Sequence, residues 1–565
     1  MNDRENDGSL MARPRRLDAS KAPEGGHGAA PAALSEGAPG AARPGVVYLV
    51  GAGPGDPGLF TLRGAELLAT ADVVLHDELV HTSLLDGVRE DAEVRSVGKR
   101  GGDRVAKDAK QAEIDAELVA LGRAGRSVVR LKGGDPFLFG RGSEEAEALA
   151  RAGVPFEVVP GVCSPLGATA YAGISLTHRN IASSVMIVSG VTRAGKPFDW
   201  SELASVRGTI CVLMGMQAID AVVAGLLGPG RREPSTPAAA IQWGTRAEQR
   251  VVTTRLDDLP RRIREAGLES PAVLVVGAVT GLRDALRWFD RKPLFGKRVL
   301  VTRPRHQARS TSRLIRQRGG EAVELATIEI HPPPDPARVT EAVRGLSGYD
   351  LVVFTSENGV ASFFGELTRL GVDARAFGAA RIAAIGAGTA AAIAARGIRA
   401  DIIPREFRGE ELAEAILADP VLAERRKAPP PVRVLLPRAL VAREVLPERL
   451  RAAGCEVDVV PVYETRPAPA ERRDELLRAL EAGRIDVVLL TSSSTVDSLC
   501  DLLGDDAAAR LDGVLVASIG PITTATAEKR GLRVGVTAEV STIPGLLDAL
   551  DRHLASPRAG AATAV

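Results

Sequence analysis

Short apolar runs recur along this chain, each closed by a loop rich in Gly, Ser or Thr and followed by a stretch of helical period. Between Val46 and about Asp290 the runs VVYLV, DVVLHD, SVVRLKGG, FEVVPG, VMIVSG, TICVLMG, PAAAIQWG and AVLVVGAV read as strands, separated by Ala/Leu/Arg/Glu segments. Strands alternating with helices predict an α/β fold. A joint at 291–295 leads to a second alternating region, which repeats itself. KRVLVTRP near Val299 is echoed by VRVLLPRA near Val434, FTSENGV at Thr355 by LTSSSTV at Thr491, and IAAIGAGT at Gly386 by VASIGPIT at Gly520. The separations are 135, 136 and 134 residues. A near-constant offset predicts a duplicated α/β unit, two similar lobes with corresponding loops and a cleft suited to a large ligand. A solenoid needs more repeats. Residues 1–43 and 556–565 lack apolar periodicity and read as disordered tails.

A chain of 565 residues requires several domains. With 72 basic against 71 acidic residues, the net charge of +1 gives no reason to expect nucleic acid or a membrane surface as partner. Aromatic residues are 3% of the chain, too few for a base-stacking platform. The four cysteines, Cys163, Cys211, Cys455 and Cys500, form no C-x-x-C pair, and the seven histidines form no H-x-x-x-H or H-E-x-x-H pattern. No metal site and no disulfide framework are expected. The absence of a long apolar run or signal-like segment predicts a cytoplasmic protein.

Candidate chemistry concentrates in the loops. Gly51-x-Gly53 supplies half of a dinucleotide fingerprint, but Asp56 stands where the third glycine belongs, and Pro54 and Pro57 stiffen the loop. A nicotinamide-dependent oxidoreductase is therefore a weak rival reading. In LKGGDPFLFGRGSEE, Gly133 and Gly134 end a strand without side chains, so a ligand can approach the backbone, and Asp135 offers an acceptor. The alternative for Asp135 is a tight turn with a capping aspartate. Met214, taken alone, reads as a core methionine on a strand.

VVYLVGAGPGDPGLFTLRGAELLATADVVLHDEL and LKGGDPFLFGRGSEE together resemble the uroporphyrinogen-III C-methyltransferases of the tetrapyrrole methylase family. The resemblance covers 44–290 and implies two α/β domains with the methyl donor, S-adenosylmethionine, in the cleft between them. It implies donor contacts at Pro54, Gly133, Gly134, Asp135, Leu138, Cys163, Ser164, Met214 and Gly244, although Cys163-Ser164 departs from the family's common Thr-Ala. Asp77 and Lys99 match the family's proton acceptor and proton donor. Arg130, Arg141 and Arg179 are candidates for the substrate's carboxylates, and His178 either positions substrate or packs. A homodimer formed through this half is also implied.

Thr302-Arg303-Pro304, FTSENGV, IGAGT, PVYET, LTSSSTV and IGPIT resemble uroporphyrinogen-III synthase, with coverage of 296–555. The resemblance implies a discontinuous lobe, 296–331 plus 464–555, around a second lobe, 332–463. It implies closure of hydroxymethylbilane to uroporphyrinogen III with inversion of the last ring. Tyr463 matches a tyrosine that assists hydroxyl departure; otherwise it is a strand tyrosine bridging the lobes. Arg303 and Arg438 fall at equivalent positions of the repeat and suit carboxylates. Thr355, Ser356, Gly388, Ser492, Thr523 and Thr524 lie where strands hand over to helices, as anion-binding groups or as helix caps. The whole chain then reads as a bifunctional tetrapyrrole enzyme that makes uroporphyrinogen III and methylates it to precorrin-2, towards sirohaem and cobalamin. Alternatives are a C-terminal module that binds tetrapyrrole without catalysis, and a methylase acting on a later corrin.

Overall fold

Strands β1 (Val47–Gly51), β2 (Val73–His76), β3 (Glu93–Ser96), β4 (Val128–Lys132) and β5 (Phe156–Val159) form one sheet in the order β3-β2-β4-β1-β5. Every pairing in it is parallel. β1 and β4 are buried throughout, because helices cover both faces. Alternate residues serve the two faces. Tyr48, Val50, Val74 and Val129 enter one cluster, while Val47, Leu49, Val73 and Val128 enter the other. The exposed strand β3 was missed as a separate strand because it has no apolar run. This sheet belongs to a compact unit reaching Ala168; a second unit covers Thr169–Val565.

The computed structural model describes residues 41–98, 104–191, 200, 203, 207–228, 231–303, 305–406 and 408–555. Most of both expected tails lies outside these residues. Ala42 and Arg43, placed in the tail by sequence, are held: their backbone N–H groups donate to Thr70 Oγ1 at 2.8 Å and Tyr48 Oη at 2.9 Å. Among the described residues no helix is long and apolar enough to cross a membrane.

The second unit opens with a mixed sheet of β6 (Val185–Ser189), β7 (Thr209–Leu213), β8 (Pro237–Gln242), β9 (Arg250–Arg255) and β10 (Ala272–Val276), ordered β6-β7-β10-β8-β9. β10 runs antiparallel to both β7 and β8. The chain then crosses 291–295, which is not a loose linker. Phe289 stacks edge-on against Phe295 at 5.4 Å, and Leu294 is fully buried with Val299, Val301 and Ile315.

Two further sheets follow. One contains β11 (Arg298–Val301), β12 (Glu321–Glu324), β18 (Val487–Leu490), β19 (Leu515–Ser518) and β20 (Val534–Thr537), ordered β12-β11-β18-β19-β20. The other contains β13 (Ile328–His331), β14 (Leu351–Phe354), β15 (Arg381–Ala384), β16 (Arg433–Ala439) and β17 (Glu456–Pro467), ordered β13-β17-β16-β14-β15. The sequence repeat and the lobes do not coincide. β11 opens the first repeat but pairs with β18 of the second, and β16 opens the second but pairs with β14 of the first. The copies have exchanged their opening strands. The lobe breaks expected after 331 and before 464 meet at the His331–Glu464 end of the antiparallel β13–β17 pairing and cut through β17, whose earlier residues pair with β16 in the same sheet. The chain changes sheets at 325–327 and again just after Pro467.

Candidate functional site

Because β1 to β5 are all parallel, their C-terminal ends share one edge of the sheet, the usual place for a ligand in such folds. That edge carries Pro54, Asp77, Gly133 to Asp135 and the segment Gly161 to Ser164. Gly53 and Gly134 exchange backbone hydrogen bonds of 3.2 and 2.8 Å. A Cβ on Gly51 would stand 2.6 Å from Gly161 Cα, and one on Gly161 would stand 2.3 Å from Gly134 O. Three strand ends are therefore pressed backbone to backbone. Gly51 serves this contact, and the Asp56 side chain caps the turn Pro57–Leu59 by accepting from Gly58 N at 2.7 Å. Gly134, at φ +69°, faces Ser164, whereas a Cβ on Gly133 would meet nothing nearer than Leu79 at 3.8 Å. Gly133 thus has room on its side-chain face, with only Leu79 in van der Waals reach. Asp135 accepts from Phe137 N through Oδ1 (2.8 Å) and from Gly161 N through Oδ2 (3.0 Å). This is the turn-capping geometry, and each oxygen keeps a further lone pair for a ligand.

Asp77 follows β2 with its side chain 31% exposed. It accepts from Arg130 Nη2 at 2.5 Å and from Gly133 N at 3.3 Å. Arg130 is 2% exposed and also bonded to Glu145, so it is not open to a substrate carboxylate as expected. Its place in β4 turns it under the sheet edge. Arg141 pairs with Glu144 at 2.6 Å. Lys99 lies outside the described residues; Gly98 before it rests against the Asp77–Glu78 backbone.

Five non-glycine residues among those described have positive φ: Phe139 (54°), Arg141 (59°), Met214 (54°), Trp243 (49°) and Thr245 (74°). All lie in loops following β4, β7 or β8. Such conformations cost on the order of 1–3 kcal/mol each and gather at ligand sites. β7 and β8 are both antiparallel to β10, so their ends lie at one edge of the second sheet. Met214 is 49% exposed there, which overturns its reading as a core methionine. Gly244 sits between strained Trp243 and Thr245, and Thr245 N donates to Gln249 Oε1 at 2.9 Å. His178 and Arg179 are exposed, and the His178 ring accepts from Asn180 N at 3.3 Å, closing its own turn. Leu138 is half-buried and Cys163 buried.

In the C-terminal half Tyr463 is 6% exposed, with its hydroxyl 3.1 Å from Ser356 Oγ. Burial pushes the phenol pKa up, and hydrogen bonds with Ser356 and Asn358 oppose this. Its partners follow β14 in the same sheet as β17, so the hydroxyl ties one lobe together instead of bridging two. The bridge is made elsewhere, by Arg303 to Glu357 at 3.4 Å and Gln307 to Asn358 at 2.9 Å. A Cβ on Gly388 would stand 2.5 Å from Glu357 Oε1, which places that carboxylate at the N-terminus of the helix Ala387–Ala394. Arg438 is 6% exposed and donates to Arg443 O at 3.0 Å and to Glu444. Ser356 and Ser492 each cap a helix, Ser492 in a capping box with Thr495. Thr355 is half-buried and Thr523 5% exposed; Thr524 bonds to Gly520 O at 3.2 Å.

Residues 46–260 match the model of the Tetrapyrrole (Corrin/Porphyrin) Methylases, and residues 309–548 match that of Uroporphyrinogen-III synthase HemD. The chain is 38% identical over 508 residues to a porphyrin biosynthesis protein HemD of Ruminiclostridium josui, covering 90% of this chain and 97% of that protein. The chain belongs to this family, a tetrapyrrole methylase fused to a uroporphyrinogen-III synthase. It is also 49% identical over 250 residues to siroheme synthase 1 of Yersinia enterocolitica, and spans 52% of that protein's length. Among solved structures it is similar to a uroporphyrin-III C-methyltransferase of Thermus thermophilus complexed with S-adenosylhomocysteine, at 41% identity, TM-score 0.36, 42% of this chain and 99% of that one.

In the methylase half, the structure brings Gly133, Gly134, Cys163 and Ser164 together with the Pro54 loop, and sets Met214 and Gly244 at the edge of the second sheet. In the synthase half it brings Tyr463 to Ser356. Sequence reasoning missed Glu145, Glu357 and Glu444, which hold Arg130, Arg303 and Arg438. The local pattern carried no signal for Glu145 or Glu357, because each meets its arginine only through the folded chain.

Proposed function

We propose that the synthase half closes hydroxymethylbilane to uroporphyrinogen III and that the methylase half methylates this product twice, with S-adenosylmethionine as donor, to give precorrin-2. The observation that supports the methylase reading is the sheet edge where the uncrowded Gly133, Asp135 and the Asp77 carboxylate converge. The residues fit the donor: glycine backbone without overhanging side chains, a carboxylate with spare lone pairs for hydroxyl or ammonium groups, and strained loops held in place. When bound, the donor supplies an electrophilic methyl group. Asp77 takes the ring proton, its orientation fixed from both sides by Arg130 and Gly133 N–H. Lys99 remains the matching proton donor.

In the synthase half, Tyr463 donates its hydroxyl proton towards the departing hydroxyl, and helix N-termini at Ser356, Gly388, Ser492 and Thr524 meet the carboxylates. Arg303 and Arg438 join once their own carboxylate partners are displaced. Two observations favour the second reading, in which this half binds tetrapyrrole without closing it: Tyr463 is almost fully buried, and both arginines are already paired. We further propose domain limits at 44–290 and 296–555, a homodimer through the methylase half, and a cytoplasmic setting without membrane, nucleic-acid or metal partners.

Incubating the full chain with hydroxymethylbilane and S-adenosylmethionine tests the proposal. Dimethylated product of the type III isomer is expected. Methylation of supplied uroporphyrinogen III without closure of hydroxymethylbilane establishes the second reading, and binding of NADH in place of S-adenosylhomocysteine overturns the methylase reading.

A further inference from the structure

β4 carries two cations at alternate positions, Arg130 and Lys132, and alternation sends both to the same face of the sheet. Their side chains are 3% and 2% exposed. Two buried positive charges side by side require a buried counter-charge. Glu145, the fourth residue of the helix Gly142–Arg151, supplies it with a side chain that is 0% exposed. Its Oε1 accepts from Arg130 Nε at 3.1 Å, Lys132 Nζ at 2.8 Å and Gln111 Nε2 at 3.2 Å. Its Oε2 is buried and accepts from no described residue. The guanidinium of Arg130 is thus gripped at Nε by Glu145 and reaches Asp77 with Nη2. A planar fork held at one edge fixes where its other edge points.

We propose that Glu145 is a positioning residue for methyl transfer, acting through Arg130 to set the orientation of the Asp77 carboxylate. This rests on the reading of Asp77 as the proton acceptor. Without the Glu145 charge, Arg130 and Lys132 are balanced only by Asp77. The guanidinium then turns wholly onto Asp77 and holds the carboxylate in a changed pose. Among the described residues, the other titratable or charged groups near the cluster are Asp115 on the helix Arg104–Arg123, Glu144 and Arg141 at the start of the helix Gly142–Arg151, and His76 and Glu78 beside Asp77. Burial weakens Lys132 as a cation, with Arg130 adding to the effect, as expected where two cations share one carboxylate.

The test is a double-mutant cycle in the full chain with uroporphyrinogen III as substrate. Glu145→Gln should lower kcat about 10- to 100-fold, the scale of a misplaced catalytic group, with KM and calorimetric affinity for S-adenosylhomocysteine nearly unchanged. In an Asp77→Asn background the same substitution should have no further effect, and Glu145→Asp should restore part of the rate. If Glu145→Gln does not fold, Gln111→Leu loosens Glu145 without removing a charge and runs through the same cycle, with a smaller effect expected. Equal losses with and without Asp77, or loss of donor affinity, make Glu145 structural and overturn the proposal. Near-native turnover by Asp77→Asn alone overturns the proton-acceptor reading, and the positioning role falls with it.

Discussion

The Asp135 carboxylate bridges two loops of the methylase half: its Oδ2 accepts from Gly161 N at 3.0 Å while its Oδ1 accepts from Phe137 N at 2.8 Å. Asp135→Ala frees both N–H groups and removes the acceptor proposed for the donor. Donor affinity should fall by about 1.5–3 kcal/mol, roughly 10- to 150-fold. Asp135→Asn keeps one acceptor oxygen and should lie between. Calorimetry with S-adenosylhomocysteine reads both; unchanged affinity in Asp135→Ala removes this loop from the donor site.

Met214 holds φ +54° while 49% exposed. Met214→Gly relieves strain of about 1–2 kcal/mol but adds unfolded-chain entropy of similar size, so stability should change by less than about 1 kcal/mol. Donor affinity should nevertheless drop. Met214→Val, branched at Cβ, should destabilise clearly. Denaturant midpoints separate the two, and equal destabilisation argues against strain at this position.

Tyr463→Phe removes a hydroxyl 3.1 Å from Ser356 Oγ and leaves the buried ring in place. Stability should fall by about 0.5–1.5 kcal/mol. Ring closure should slow, with isomer III still the main product. A fast variant yielding isomer I instead makes Tyr463 part of the surface that folds the substrate.

Glu321 opens β12, and burial pushes its carboxyl up from 4.5 to about 7, helped by Glu248 and Asp486 and opposed by Arg298 and Arg246. Between those values the folded state binds more protons than the unfolded one, so stability falls as pH rises. The contribution is fully present below pH 4.5 and lost on passing through about 7. Glu321→Gln should flatten this slope, which denaturation midpoints at pH 5 and 8 measure. An unchanged slope assigns the dependence to other groups.

Leu294 is fully buried, and its N–H donates to Arg318 O at 2.9 Å. A synthase fragment beginning at Arg291 keeps this anchor, whereas one beginning at Gly296 loses it. The shorter fragment should be less stable by about 2–5 kcal/mol, the range for deleting a buried leucine side chain. Equal melting of the two fragments returns 291–295 to the role of a passive linker.

The sequence by itself determined the strands that carry apolar runs, the glycine-rich turns at their ends and the existence of a duplicated unit. These are local properties: an apolar run bounded by turn residues is a strand wherever it packs, and a glycine at a close backbone contact leaves its mark without its partner. β3 and β9 escaped because their exposed or half-exposed residues follow no such pattern. The repeat pattern by itself did not reveal that the two units trade opening strands, which only the family resemblance implied through its discontinuous lobe, since pairing of β11 with β18 joins residues nearly two hundred positions apart. The tertiary structure alone decided which charges are available. Arg130 and Arg303 carry the same charge in sequence as any surface arginine, yet the fold brings Glu145 to one and Glu357 to the other. Met214 reads as core from its neighbours and stands exposed because the backbone turns left-handed where β7 ends. A residue type fixes what a side chain can do; the long-range path of the chain fixes what it meets.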